Sequence, residues 1–240
     1  MSKKRSNPSF AKATAGKPPT PRLRRVNRLP SFAKATAGKP STVKIAIFAS
    51  GGGSNALKII EHFEKLTLGR VGLVVSNKAE AGVLGIAASH DIPTQIIDRQ
   101  MFYESAVILE VLKKYEIGLV VLAGFLWLVP EYLVRAFPRK IVNIHPALLP
   151  KYGGKGMYGM NVHKAVKAAG ETESGITIHF VNDLYDEGDI VFQASCLILP
   201  EDSAETIAKK VLELEHKHFP VVIEGLLQNE PNSKRGTIIG

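Results

Sequence analysis

The sequence predicts an α/β fold: a Rossmann-like open sheet, parallel in its N-terminal half and antiparallel in its C-terminal half. Three observations carry this. From Val43 to Gly170, apolar runs suited to strands covered on both faces take turns with segments of helical spacing. Three consecutive glycines join the first of these strands to the first helix. Beyond Gly170 two apolar runs are separated only by a short polar connection, which suits an antiparallel pair.

Taken in order, V-K-I-A-I-F-A-S from Val43 is the first strand, and S-N-A-L-K-I-I-E-H-F from Ser54 a helix with apolar residues three and four apart. Val71–Ser76 is a second strand, Ala81–His90 a helix and Thr94–Asp98 a third strand. Phe102–Tyr115 reads as one helix ending in lysines, as the helix dipole favours. Gly118–Gly124 and Lys140–His145 are the fourth and fifth strands. Gly175–Val181 and Ile190–Leu199 are the antiparallel pair, and Ser203–Phe219 a long final helix. Ligands of open α/β sheets bind beyond the carboxyl ends of the strands. Three loops lie there: Gly51–Asn55, Gly124–Val129 and Asn143–Pro150.

The 240 residues, 45% hydrophobic, suffice for one core in one domain. No apolar run approaches the ~20 residues of a membrane helix, and no secretory segment opens the chain. The single cysteine, Cys196, excludes an internal disulfide and a cysteine-based zinc cluster, and implies a reducing, cytoplasmic setting. Its apolar neighbours make it a buried hydrophobe rather than a nucleophile. The net charge of +9 hints at nucleic acid, but residues 1–42 hold eleven of the 31 Lys and Arg and none of the 22 Asp and Glu. The other 198 residues carry 20 basic against 22 acidic side chains, so the folded part is near neutral and nucleic acid is disfavoured. Within that segment P-S-F-A-K-A-T-A-G-K-P occurs twice, at Pro8–Pro18 and Pro30–Pro40. Its composition predicts a disordered basic tail over 1–42, ahead of a globular domain over 43–240. A tether for an anionic partner and a targeting extension are functional readings of this tail; a translated repeat without a role in chemistry is the plainer one.

Two stretches carry chemistry. In S-G-G-G-S-N the glycines let the backbone approach a ligand, and the helix start offers unpaired N–H groups to an anion, with Ser54 and Asn55 as added donors. The loop lacks the sixth-position glycine of a dinucleotide fingerprint (Ala56 stands there) and the G-K-[ST] of a P-loop, so a mononucleotide-like or sugar phosphate fits better. A tight turn with Ser54 as N-cap is the structural alternative. In N-I-H-P, Asn143 and His145 project to one face of a strand that Pro146 ends. Asp186, in N-D-L-Y-D-E-G-D, can reach the imidazole across the cleft, and a carboxylate there raises the imidazole pKa. An amide, an imidazole and a carboxylate suit attack on a carbonyl carbon without a covalent enzyme intermediate. A structural polar pair at Asn143 and His145 is the alternative. A metal site from His145, His163, His179 and Asp186 matches no ligand spacing, and no G-x-S-x-G elbow is present.

These motifs resemble the folate-dependent glycinamide ribonucleotide formyltransferases of purine biosynthesis. The resemblance rests on A-S-G-G-G-S-N at 49–55, V-V-S-N-K-A at 74–79, V-L-A-G-F at 121–125, N-I-H-P-A-L-L-P-K-Y at 143–152, and G-I-T-I-H-F-V with D-E-G-D-I-V-F-Q to Gln193, in order from Val43 to Leu227. It implies the formyltransferase fold and transfer of a formyl group from 10-formyltetrahydrofolate, a cosubstrate, to the amino group of 5-phosphoribosylglycinamide, in a monomer or homodimer with no metal and no membrane. It implies Asn143, His145 and Asp186 as the catalytic trio, with a protonated His145 and Asn143 stabilising the oxyanion. It implies Gly53, Ser54, Asn55 and Glu215 for the ribonucleotide. For folate it implies Leu126, Trp127, Leu128, Val129 and Asn143, with Asn182 and Asp183 around the pterin. His163 and His179 match family positions as well and are read as structural.

The sequence departs from the family's common pattern in four places. Lys151-Tyr152 is followed by a glycine-rich insert. Trp127 stands where a basic residue is frequent. The family's folate-contacting Arg has no secure counterpart, Arg99 being nearby. D-E-G replaces D-G-G. Methionyl-tRNA formyltransferases and formyltetrahydrofolate deformylases share the trio; the sequence is expected to lack the tRNA-binding extension of the first and the regulatory domain of the second. A nucleic-acid-binding protein led by the tail, and a nucleotide-dependent dehydrogenase, are the rivals from other classes.

Overall fold

The structure, a computed structural model, describes residues 23–24 and 42–229. Among the described residues there are eight strands and six α-helices: β1 (Leu23–Arg24), β2 (Val43–Phe48), α1 (Ser54–Phe63), β3 (Gly69–Ser76), α2 (Gly82–Ser89), β4 (Thr94–Ile96), α3 (Val107–Lys114), β5 (Ile117–Leu122), α4 (Glu131–Ala136), β6 (Ile141–His145), α5 (Met160–Ala168), β7 (Glu173–Phe180), β8 (Ile190–Leu197) and α6 (Ala204–Gln228). All strands join one sheet in the order β1-β8-β7-β6-β5-β2-β3-β4. The strands from β2 to β6 pair in parallel, and β6, β7, β8 and β1 pair antiparallel. The expected tail over residues 1–42 lies outside the described residues except at Thr42 and at Leu23–Arg24, which pair with Ala194 and Gln193 at the sheet edge.

The core divides at the sheet, and alternate residues of one strand serve both halves. Val43, Ile45 and Ile47 face α1, α2, α5 and α6; Ala46 and Phe48 face α3 and α4. This two-sided burial explains why β2, β3 and β5 read as continuous apolar runs. The chain reverses its winding at β2, which has β3 on one side and β5 on the other. Such a switch opens a crevice at the carboxyl ends of these strands.

Three elements differ from the sequence reading. The helix expected over Phe102–Tyr115 is broken: a single π turn, Gln100–Glu104, precedes α3, and Ala106 between them has φ 50°. Phe102 is fully buried against Phe48, Phe125 and Trp127, and the Ser105 hydroxyl bonds back to the carbonyls of Gln100 and Met101. Aromatic packing and a competing side-chain hydrogen bond override the helical periodicity there. The short helix α4 begins directly after Pro130, in a stretch the sequence left unassigned. The final helix runs nine residues past Phe219, through Pro220. Burial of Phe219, Ile223 and Leu227 against the sheet offsets the backbone hydrogen bond that a proline forfeits.

Candidate active site

β6 delivers Asn143 and His145 to one face of the sheet, and its antiparallel neighbour sets His179 opposite Asn143. Asp186 comes from the β7–β8 loop with φ 58°, a left-handed conformation that Asp tolerates better than most residues. His145 Nδ1 lies 3.4 Å from one Asp186 oxygen, and Asn143 Nδ2 lies 3.4 Å from the other. The amide, imidazole and carboxylate singled out by spacing therefore converge. His179 joins them: its Nε2 is 3.1 Å from Asn143 Nδ2 and 3.5 Å from Asp186.

The hydrogen bonds fix the orientation of each group. His179 Nδ1–H donates to the Phe180 carbonyl at 2.9 Å, which leaves Nε2 to accept from the Asn143 amide. The second Asn143 N–H makes only the long contact to Asp186. His145 Nε2–H donates to the Tyr152 carbonyl at 2.7 Å, so Nδ1 is the nitrogen facing Asp186. In the neutral ring that nitrogen carries a lone pair opposite a carboxylate, leaving a gap that a proton can fill. The Gly154 N–H donates to the same carboxylate oxygen at 3.0 Å.

Burial sets the imidazole's acidity against the sequence expectation. His145 is 3% exposed, and its desolvation outweighs the Asp186 charge and the Tyr152 carbonyl, so its pKa falls below the usual imidazole value instead of rising. The neutral ring therefore prevails at neutral pH. Burial would raise the Asp186 carboxyl, but contacts with His179, His145 and the Gly154 N–H together hold it below the ordinary carboxylate range. His163, buried at the start of α5 with Nδ1 unpartnered, is lowered by burial and by His145.

The glycine loop leads into α1 with Gly53 as N-cap at φ 83°; a Cβ there would stand 2.8 Å from Val83. Ser54 is the first helical residue and makes no capping bond, which removes the reading of this loop as a Ser54-capped turn. Asn55 Nδ2 donates to Glu215 of α6 at 2.6 Å. Glu215 is 8% exposed, and burial pushes its carboxyl up to about 7 against the opposing Asn55 bond. A carboxyl raised on folding favours the folded state while it is protonated. Stability should therefore fall as pH rises from 4.5 to about 7. The loss amounts to about 3 kcal/mol at most. Glu215→Gln should flatten this part of a Tm-against-pH curve; an unchanged slope would assign it to another group.

Both regions open into one cavity of ≈ 640 Å³. Asn143, His145 and Asp186 line it together with Asn55 and Glu215, and Leu126, Trp127, Leu128 and Val129 form a wall. Gly53 and Ser54 stand outside the lining, at the loop leading to Asn55. Asn182 and Asp183 also lie outside it; the Asn182 side-chain Oδ1 accepts from the Leu184 N–H and shapes the loop, whereas Val181, Leu184 and Tyr185 face the cavity. The glycine-rich insert contributes Gly154, Lys155, Met157 and Tyr158. Its sequence signal was glycine density next to a strand exit, which marks a close approach without saying to what. The Arg99 guanidinium lies over the Trp127 ring at 5.3 Å and the Tyr103 ring at 5.9 Å, which brings a cation back to the wall where Trp127 lacks one. Cys196 is half-buried, and burial pushes its thiol up to about 11, far from a reactive thiolate. Among the described residues, no group of three or more His, Cys, Asp or Glu is arranged to hold a metal ion, and no helix is long and apolar enough to cross a membrane.

An open sheet with these side chains at its carboxyl edge is the setting, and residues 43–223 match the formyl transferase family model. The chain belongs to the phosphoribosylglycinamide formyltransferases of that family. It is 44% identical over 191 residues to the chloroplastic phosphoribosylglycinamide formyltransferase of Arabidopsis thaliana, matching 77% of this chain and 65% of that protein. It is 36% identical over 198 residues to the Haemophilus influenzae phosphoribosylglycinamide formyltransferase, matching 79% of this chain and 91% of that one. Among solved structures, the Anaplasma phagocytophilum phosphoribosylglycinamide formyltransferase superposes with a TM-score of 0.72 at 34% identity, covering 78% and 88% of the two chains. The chain thus spans just under two thirds of the plant relative's length.

Proposed function

We propose that the protein transfers the formyl group of 10-formyltetrahydrofolate to the amino group of 5-phosphoribosylglycinamide, in the cytoplasm and without a metal. The observation that carries this reading is the shared cavity. A proton-handling trio stands in the same space as Asn55 and Glu215, next to a helix start with open N–H groups. A deformylase needs only water as acceptor and has no use for an anion site there.

In this reading the substrate amine attacks the formyl carbon. The oxygen takes the Asn143 N–H that otherwise makes the 3.4 Å contact to Asp186. The amine's proton enters the gap between His145 Nδ1 and Asp186, giving an imidazolium whose two N–H groups face the Tyr152 carbonyl and the carboxylate. The C–N10 bond then breaks as His145 returns the proton to N10. The apolar wall from Leu126 to Val129 suits a flat pterin, and Arg99 over Trp127 suits the carboxylates of the folate tail.

An absorbance assay with 10-formyl-5,8-dideazafolate, the ribonucleotide and a chelator tests the reaction. Ribonucleotide-dependent release of the deformylated product is expected, and release independent of the ribonucleotide would make the protein a hydrolase. Ser54→Ala combined with Asn55→Ala should raise KM for the ribonucleotide about tenfold or more, with the folate KM within twofold. A defect confined to folate would move the phosphate elsewhere.

A further inference from the structure

We infer that Glu171, outside the cavity, is a positioning residue for His145, acting through the strap Lys151–Gly154. The inference rests on the formyl-transfer reading and adds a residue which that reading does not use. The Tyr152 hydroxyl donates to Glu171 Oε1 at 2.9 Å, and Lys151 Nζ donates to the same oxygen at 2.8 Å. Lys151 is largely exposed, so its ion pair contributes little. The half-buried Tyr152, packed against the main core, is the effective tie.

The backbone of that same tyrosine, at φ 59°, presents the carbonyl that accepts from His145 Nε2–H. Two residues on, Gly154 N–H holds Asp186. One strap thus contacts both ionisable members of the trio. Gly153 permits this approach, since a Cβ there would meet Leu149 at 2.6 Å and Asp186 at 3.3 Å.

The strap needs an anchor on this side. Upstream, the turn is already fixed: buried Thr177 bonds to Ala147 and Leu149, and Gln193 bonds to Leu149. Downstream, the chain continues through Gly154, Gly156 and Gly159, all at positive φ, which leaves many backbone states accessible. Tyr152 is the junction, and Glu171, two residues before β7, ties it to the α5–β7 connection. Without the tie the carbonyl can leave Nε2, and a neutral ring can turn its proton to Nδ1, which closes the gap that must receive the amine's proton.

The other titratable groups that act on His145 are Asp186, His179 and His163. Of these only Asp186 is itself touched by the strap, through the Gly154 N–H, so a change in the ring's tautomer still reports the strap.

The test uses the full chain, with imidazole ¹⁵N NMR of His145 beside steady-state kinetics. Wild type is expected to show the Nε2–H tautomer. Glu171→Ala and Tyr152→Phe should each mix the tautomers, lower the His145 titration point and reduce kcat about tenfold, with both KM values within twofold. The double variant should be no worse than Glu171→Ala. Glu171→Gln keeps an oxygen acceptor for the tyrosine and should behave as wild type. An unchanged tautomer and kcat in Glu171→Ala, or a Glu171→Gln variant as impaired as Glu171→Ala, would overturn the proposal. If wild type transfers no formyl group, the proposed reaction fails, while the NMR comparison still decides the strap.

Discussion

Asp186→Asn is expected to lower kcat by about 10²–10⁴-fold, the range typical of a lost proton-transfer group. The reason is in the geometry. One carboxylate oxygen accepts from Gly154 N–H and faces His145 Nδ1; the other faces the Asn143 amide nitrogen. An asparagine must set its NH₂ against one of these donors, Gly154 or Asn143, whichever way it turns. It also removes the charge that raises the His145 pKa. The proposed step needs neutral His145, so rate rises with pH through that pKa. Losing the carboxylate lowers the pKa further, and the ascending limb of the kcat–pH profile should move to lower pH. A variant within threefold of wild type, with its limb in place, would remove Asp186 from the reaction.

The pattern of apolar runs disclosed the sheet because every central strand is buried on both faces, leaving no polar alternation to confuse with a helix. The turn to antiparallel pairing followed from the short link before Ile190. What escaped was set by tertiary contact. The π turn before α3 exists because Phe102 is drawn into an aromatic cluster, and α6 passes Pro220 because Phe219, Ile223 and Leu227 face the core. Neither cause is visible in local spacing.

The site shows the same division. Asn143 and His145 were legible from period-two spacing before a proline. The acidity of His145 was not, because the sign depends on how completely the ring is buried, and a neighbouring carboxylate alone argues for the opposite shift. His179 was legible as a strand residue, but its bond to the Asn143 amide depends on the β6–β7 register. The two carbonyl and amide contacts from Tyr152 and Gly154 come from backbone atoms, which residue types do not announce.

Gly188→Ala should be the most damaging single-methyl change near the site. An added Cβ would lie 1.7 Å from the Phe180 carbonyl oxygen and 2.7 Å from its carbon, and backbone atoms inside a sheet cannot step aside as a flexible side chain does. The β7–β8 loop must shift instead, breaking the Phe180 N–H bond to the Asp189 carbonyl and carrying Asp186, two residues upstream, away from His145. Turnover should fall about as far as in Asp186→Asn. Tm should fall as well, by roughly 2–4 °C for each kcal/mol lost in a domain of this size. Glu187→Gly offers the contrast. Glu187 lies in ordinary backbone space, so D-E-G in place of D-G-G costs the loop nothing, and that variant should keep turnover within about threefold. Thermal melts and kcat for the two variants separate the cases: a Gly188→Ala protein with wild-type Tm and turnover would show that Asp186 does not depend on this close approach.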